Sequence, residues 1–82
     1  MKELKDTIEL MNSEDYKERF KAEYYQTKIR YDKLHKMIIK YEANVLTFKP
    51  TCSIEILNEQ AYYMGNYLKK LEIRAEIEGI EL

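Results

Sequence analysis

Residues 20–45 read FKAEYYQTKIRYDKLHKMIIKYEANV, and apolar or small side chains recur here at alternating steps of four and three. The positions are Phe20, Tyr24, Thr27, Tyr31, Leu34, Ile38, Tyr41 and Val45. This heptad pattern is typical of a helix that packs lengthwise against another helix. We predict a long helix over residues 14–46, preceded by a break at Asn12 and Ser13, which are good N-cap residues.

A second heptad stripe follows the only proline, Pro50. Its members are Ile54, Leu57, Ala61, Met64, Leu68, Leu71 and Ala75. Pro50 predicts the end of the preceding helix, because the residue before a proline disfavours the α conformation. Three residues are candidates to cap the next helix: Thr51, Cys52 and Ser53. We predict that helix over residues 53–78, ending at a left-handed Gly79 with Ile80 as the apolar residue beyond it.

Two matched stripes joined by a short connection predict an all-α fold, a coiled-coil-like antiparallel helical hairpin. Residues 1–11 form an amphipathic pattern that predicts a short additional helix. Folding the hairpin about Pro50 pairs Tyr24 with Ala75, and Tyr31 with Leu68. With 82 residues, the chain is expected to be a single domain, residues 1–82.

The composition excludes several classes of protein. Two Gly and one Pro are too few for many short strands joined by tight turns, and a single Cys excludes a disulfide scaffold. No apolar run approaches the ~20 residues needed to cross a bilayer, and no signal peptide opens the chain, so we expect a cytoplasmic protein without a membrane partner. A sequence pI of about 5.9 argues against nucleic acid as a partner.

The charges are unevenly distributed although the net charge is only −1. Residues 16–41 carry eight basic and three acidic side chains, whereas residues 72–82 carry four acidic and one basic. We expect the two segments to face each other across the hairpin, with Glu72, Glu76 and Glu78 beside Lys21 and Lys28. Exposed ion pairs of this kind contribute only about 0–1 kcal/mol each.

Several large apolar side chains lie off both heptad stripes. They are Tyr25, Ile29, Met37, Ile39, Ile56, Tyr62, Tyr63 and Tyr67. A lone hairpin would leave much of this surface in water, and such surfaces usually mark association sites. We therefore expect a homo-oligomer, most simply a four-helix dimer. The alternative is a monomer in which residues 1–11 fold back as a third helix.

Tyrosine is unusually frequent, with eight Tyr and no Trp. Aromatic rings beside amides and cations suit a nucleotide, through stacking, base-edge hydrogen bonds and phosphate pairing. Packing at the seam or between subunits is the alternative use of these rings. The predicted ligand-binding residues are Tyr62, Tyr63, Asn66, Tyr67 and Lys70 of one chain, with Arg30 and Lys28 supplied by another.

The chain offers little that is typical of catalysis. His35 is the only histidine and Cys52 the only cysteine, and the hairpin register does not bring them together. No Cys or His pair has zinc-ligand spacing, and no glycine-rich phosphate loop is present. We predict a protein that is not an enzyme, with no cofactor and no metal site.

The segment PTCSIEIL at residues 50–57 and LEIRAEIEGIEL at residues 71–82, with Gln60, Met64 and Tyr67 between them, resembles a family of small uncharacterised proteins of phages and prophages of gut bacteria, related to a crAss-like-phage accessory protein. The resemblance implies an inhibitor of bacterial immunity inside an infected or lysogenic host. Two routes are open: sequestering a nucleotide second messenger, or covering a host defence effector as an anti-CRISPR-like protein does. A structural or assembly role is the third possibility, and the resemblance implies no functional residue.

Overall fold

The computed structural model describes residues 3–82, which form a helical hairpin with a short N-terminal segment. A 3-10 turn, Leu4–Thr7, continues into α1 (Ile8–Met11), and the two long helices are α2 (Tyr16–Glu42) and α3 (Ile54–Glu78). The described residues contain no strand, and they span 43 × 25 × 17 Å. The predicted all-α antiparallel hairpin is confirmed.

The predicted break between the first two helices is present, and local hydrogen bonds explain it. The Asp15 carboxylate accepts from the Lys17 backbone N–H at 2.9 Å and caps α2, while the Ser13 hydroxyl oxygen accepts from the Asp15 N–H at 3.0 Å. These bonds satisfy backbone donors that have no partner within the helix. The helix predicted over residues 1–11 is present from Leu4 onward, and residues 1 and 2 lie outside the described part of the chain.

The end of α2 differs from the prediction, which carried the helix to residue 46. The helix ends at Glu42 because Asn44 adopts a left-handed conformation with φ of 60°. The Val45 N–H then donates to the Lys40 carbonyl at 3.0 Å, which is the hydrogen bond of a Schellman motif. Val45 is therefore outside the heptad stripe, and Pro50 lies within an 11-residue connection, residues 43–53, rather than at the helix end.

Both ends of α3 follow the sequence-based expectation. Among the three capping candidates, the Ser53 hydroxyl oxygen accepts from the Ile56 N–H at 3.3 Å. At the other end, Gly79 has φ of 70°, and the Ile80 N–H donates to the Ala75 carbonyl at 2.9 Å. Ile80 is buried, and it closes the C-terminal end of the core.

The core lies at the end of the hairpin that is remote from the connection. Its members are Phe20, Tyr24, Leu68, Leu71, Ala75 and Ile80, with Tyr25 and Tyr31 packed against them. Toward the connection the stripes are less well buried: Leu57 and Met64 are half-buried, and Tyr41 is 42% exposed, although Ile38 is buried. The hairpin therefore packs tightly at one end and loosely at the other.

Residues 4–11 of the N-terminal segment fold back onto α2 and do not pack against α3. The Gln26 amide donates to the Thr7 hydroxyl oxygen at 2.9 Å, and Thr7 is 1% exposed. Ala22 and Ile29 are buried on the same face of α2, so Ile29 is not an association residue as the sequence had suggested. The segment covers the side of α2 that faces away from α3, and it leaves the outward side of α3 open.

The expected cross-hairpin ion pairs are absent among residues 3–82. The ion pairs there are local: Lys5–Glu3, Lys28–Asp32 and Arg74–Glu78. The Glu72 carboxylate instead accepts the hydrogen bond of the Tyr24 hydroxyl. Tyr24 shares the core cluster with Ala75, and Tyr31 packs against that cluster, as the predicted pairing implied.

Candidate functional site

The predicted α3 residues all lie on the outward side of that helix. Tyr62 and Tyr63 are each 65% exposed, Tyr67 is 42% exposed, and Asn66 and Lys70 are exposed. The rings of Tyr62 and Tyr63 meet edge to face, with centroids 5.4 Å apart and planes at 75°. Their exposure means that packing within this chain does not account for these two rings.

Helical spacing explains why ring, amide and ammonium share one face. Tyr63, Asn66 and Lys70 follow one another at steps of three and four, as the seam residues do, but they are rotated to the side opposite Leu68 and Leu71. The sequence thus gives α3 two stripes, one that packs on α2 and one that faces out. We call the second stripe, with Tyr62 and Tyr67 at its borders, the outer face.

The two predicted basic residues of α2 lie on opposite flanks of the hairpin. Lys28 is one turn from Tyr24, whose hydroxyl donates to the Glu72 carboxylate at 2.8 Å, so Lys28 shares that flank. Its ammonium is 3.2 Å from the Asp32 carboxylate and 5.9 Å from the centre of the Tyr31 ring. Lys28 is therefore partly neutralised within its own chain.

Arg30 comes two residues after Lys28, and two residues correspond to about 200° of rotation about the axis of α2. Arg30 therefore lies on the flank of the hairpin opposite to that of Lys28. Glu23 of α2 and Arg74 of α3 mark this flank, because their charged groups lie near each other. Hydrogen bonding to Glu78 raises the pKa of Arg74, and the nearby Glu23 carboxylate raises it further. Arg30 follows Glu23 by one heptad, and Tyr67 precedes Arg74 by one heptad. Helix geometry therefore places Arg30 level with Tyr67, on the border of the outer face.

A groove of about 740 Å³ opens near the C-terminus and does not coincide with the predicted residues. Tyr24, Ile73 and Ile80 contribute its apolar lining, and three carboxylates outnumber the one ammonium that borders it. These charged groups are Glu72, Glu76, Glu81 and Lys69. Negative potential of this kind is unfavourable for phosphate. The sequence analysis did not predict this groove. The feature that could have indicated it is the apolar residue Ile80, which follows the helix end at Gly79 and has acidic residues on both sides.

The titratable residues with catalytic potential lie apart from one another and from the outer face. His35 is exposed, and its ring stacks on that of Tyr31 with centroids 5.7 Å apart. Cys52 is exposed, with a free thiol, in the connection before α3. In the described chain, no three His, Cys, Asp or Glu side chains gather into a possible metal site.

A family model described as Sequestin matches residues 14–77, from the start of α2 almost to the end of α3. The chain belongs to the Sequestin family. The match includes nearly the whole hairpin and every predicted site residue, and it leaves out the N-terminal segment. No curated protein and no solved structure matches the chain significantly. Within residues 3–82, no helix of this Sequestin is long and apolar enough to cross a bilayer.

Proposed function

We propose that this Sequestin-family protein is a stoichiometric binder that sequesters a nucleotide second messenger and so inhibits bacterial immunity, as a phage-type accessory protein. The family description supports sequestration, and with it the binding of a small ligand. The observation that carries the proposal is the exposed ring pair, Tyr62 and Tyr63, beside Asn66 and Lys70 on the outer face of α3.

Each group on the outer face suits one part of a nucleotide. An aromatic ring that stacks on a base contributes about 1–3 kcal/mol. The Asn66 amide both donates and accepts hydrogen bonds, as base edges do, and the Lys70 ammonium pairs with phosphate as a compact positive charge. The activity proposed for these groups is binding, without a catalytic step.

A second copy of the chain would complete the site. The outer face is open, and a base stacked on it would keep its other side in water. Exposed apolar side chains accompany the tyrosines along α3, with Ile56 56%, Ile73 42% and Ile77 78% exposed. Covering them by self-association would bury apolar surface and enclose the ligand between subunits. The proposed homo-oligomer would act in the cytoplasm of an infected or lysogenic bacterium.

Isothermal titration against cyclic dinucleotides and ADP-ribose derivatives tests the proposal. We expect binding by the unmodified protein to at least one ligand, and at least a tenfold loss of affinity in Tyr63→Ala. The matched control is Tyr16→Ala, which removes another exposed tyrosine at the start of α2, away from the outer face, and should bind as the unmodified protein does. The absence of heat with every ligand in the panel would overturn the proposal.

The second candidate function is inhibition of a host defence effector by protein–protein contact. Exposed apolar side chains near the connection favour it, because the nucleotide site makes no use of them: Ile39 is 50%, Val45 60% and Phe48 57% exposed. A pull-down from host lysate should then recover one dominant partner, and Tyr62→Ala or Tyr63→Ala should abolish the capture. A purely structural or assembly protein would give neither this result nor ligand heat.

A further inference from the structure

We propose that one chain supplies both the aromatic and the cationic half of the ligand site, with Arg30 acting beside Tyr63, Tyr67 and Lys70 of its own chain. This inference rests on the proposed nucleotide binding, and it replaces the predicted supply of Arg30 by another subunit. The ligand class it implies is an aromatic base that carries two phosphate groups, one for each cation, as in a cyclic dinucleotide or the pyrophosphate of an ADP-ribose.

The position of Arg30 follows from a neighbouring pair of residues that marks the flank. The Arg74 guanidinium of α3 lies 4.8 Å from the centre of the Phe20 ring of α2. The Glu23 carboxylate, also on α2, is close enough to help raise the pKa of Arg74. One heptad corresponds to about 10.5 Å along each helix. One heptad closer to the connection, Arg30 occupies on α2 the position equivalent to Glu23, and Tyr67 occupies on α3 the position equivalent to Arg74. The Arg30 guanidinium is therefore placed beside the exposed Tyr67 ring.

The electrostatic surroundings favour an anion at this position. The side chains three and four residues from Arg30 on α2 are all uncharged or basic: Gln26, Thr27, Lys33 and Leu34. The same holds for Lys70 on α3, whose neighbours at these distances are Asn66, Tyr67, Ile73 and Arg74. Neither cation is in an ion pair within residues 3–82. Both are therefore free to pair with phosphate.

The opposite flank differs in each of these respects. Lys28 is paired with Asp32, and Glu72 accepts the Tyr24 hydrogen bond beside it. A phosphate on that flank would meet two carboxylates. The guanidinium of Arg30 also offers phosphate two parallel N–H groups, which an ammonium does not do. Arg30 is thus the stronger anion ligand of the two basic residues.

Mixed-chain complementation separates supply by the same chain from supply by a partner. Arg30→Ala and Tyr67→Ala are purified alone and also co-expressed with different tags, so that mixed oligomers are isolated, and each sample is titrated with cyclic di-AMP, cyclic di-GMP and cyclic ADP-ribose. Far-UV circular dichroism confirms that each variant is folded. Arg30→Lys is the conservative variant, and Lys36→Ala, which removes another exposed cation of α2, is the matched control.

We expect Arg30→Ala and Tyr67→Ala each to lose at least tenfold in affinity, Arg30→Lys to retain part of the binding, and Lys36→Ala to bind as the unmodified protein does. Mixed oligomers should show no recovery, since every site then lacks one of its two groups. Recovery of sites in the mixed oligomers, to about half in a dimer, would overturn the inference and leave the proposed function standing. Unchanged binding by Arg30→Ala would also overturn it. Absence of ligand heat with the unmodified protein would overturn both.

Discussion

The Tyr24 hydroxyl donates a 2.8 Å hydrogen bond to the Glu72 carboxylate and links the N-terminal half of α2 to the C-terminal half of α3. The Tyr24 ring is buried in the core, while Glu72 is exposed at its edge. This hydrogen bond joins α2 to α3 through side chains. It marks the register of the hairpin.

Replacing Tyr24 with Phe should lower the free energy of unfolding by about 1 kcal/mol, because the ring stays packed and a single hydrogen bond is lost. Urea denaturation followed by circular dichroism measures the change. Tyr63→Phe is the matched control, since its ring is 65% exposed, and it should leave the midpoint unchanged. Equal midpoints for the two variants would mean that the Tyr24–Glu72 bond contributes nothing to stability.

Tyr24 should also make stability depend on pH in the alkaline range. Burial, followed by the hydrogen bond to Glu72, raises the pKa of Tyr24 from its ordinary value of 10 to about 12. Between these values the unfolded chain loses the proton while the folded chain keeps it, so stability is fully present below pH 10 and falls as the pH rises to about 12. In Tyr24→Phe this contribution to the fall should be missing, and identical pH profiles would contradict it.

The two glycines should respond in opposite directions to substitution by alanine. Gly79→Ala places a side chain at φ of 70° and should cost about 1 kcal/mol. Gly65 lies inside α3, where an added Cβ would meet the Tyr31 ring at 3.5 Å, an ordinary contact. Gly65→Ala should therefore stabilise the protein by about 0.5–1 kcal/mol. Thermal melts of both variants test the pair, and a destabilised Gly65→Ala would show that the ring cannot accommodate the methyl group.

Ile80, which lies beyond the end of α3, should contribute as much to the free energy of unfolding as a core residue within that helix. Ile80 is 6% exposed in the core, so Ile80→Ala should cost about 2–3 kcal/mol. Ile77→Ala is the control, because that side chain is 78% exposed, and its unfolding midpoint should stay close to that of the unmodified protein. If both variants unfold alike in urea, Ile80 does not close the core.

The heptad stripes were sufficient to predict the hairpin, and the Gly79–Ile80 pair was sufficient to predict how it ends. The end of α2 was misplaced because a heptad pattern carries on through Val45, while backbone geometry at Asn44 ends the helix first. The one feature of the sequence that could have indicated this earlier helix end is Asn44, because asparagine adopts the left-handed conformation more readily than most residues.

The candidate site was predictable as a set of residue types and not as a geometry. Periodicity placed Tyr63, Asn66 and Lys70 on one face of α3, and the structure gives them that exposure. The separation of Lys28 from Arg30 depends on which flank of the seam each residue borders. That relationship becomes visible only when the contacts of Tyr24 and Arg74 with the opposite helix are known.

Sequestration is tested most directly by a native mass spectrum of the purified protein after incubation with the cyclic dinucleotides and ADP-ribose derivatives. We predict an oligomer that carries the added mass of one of these ligands, and loss of that added mass in Tyr63→Ala while the protein remains folded. A spectrum that shows only the bare chain with every ligand would contradict the proposal.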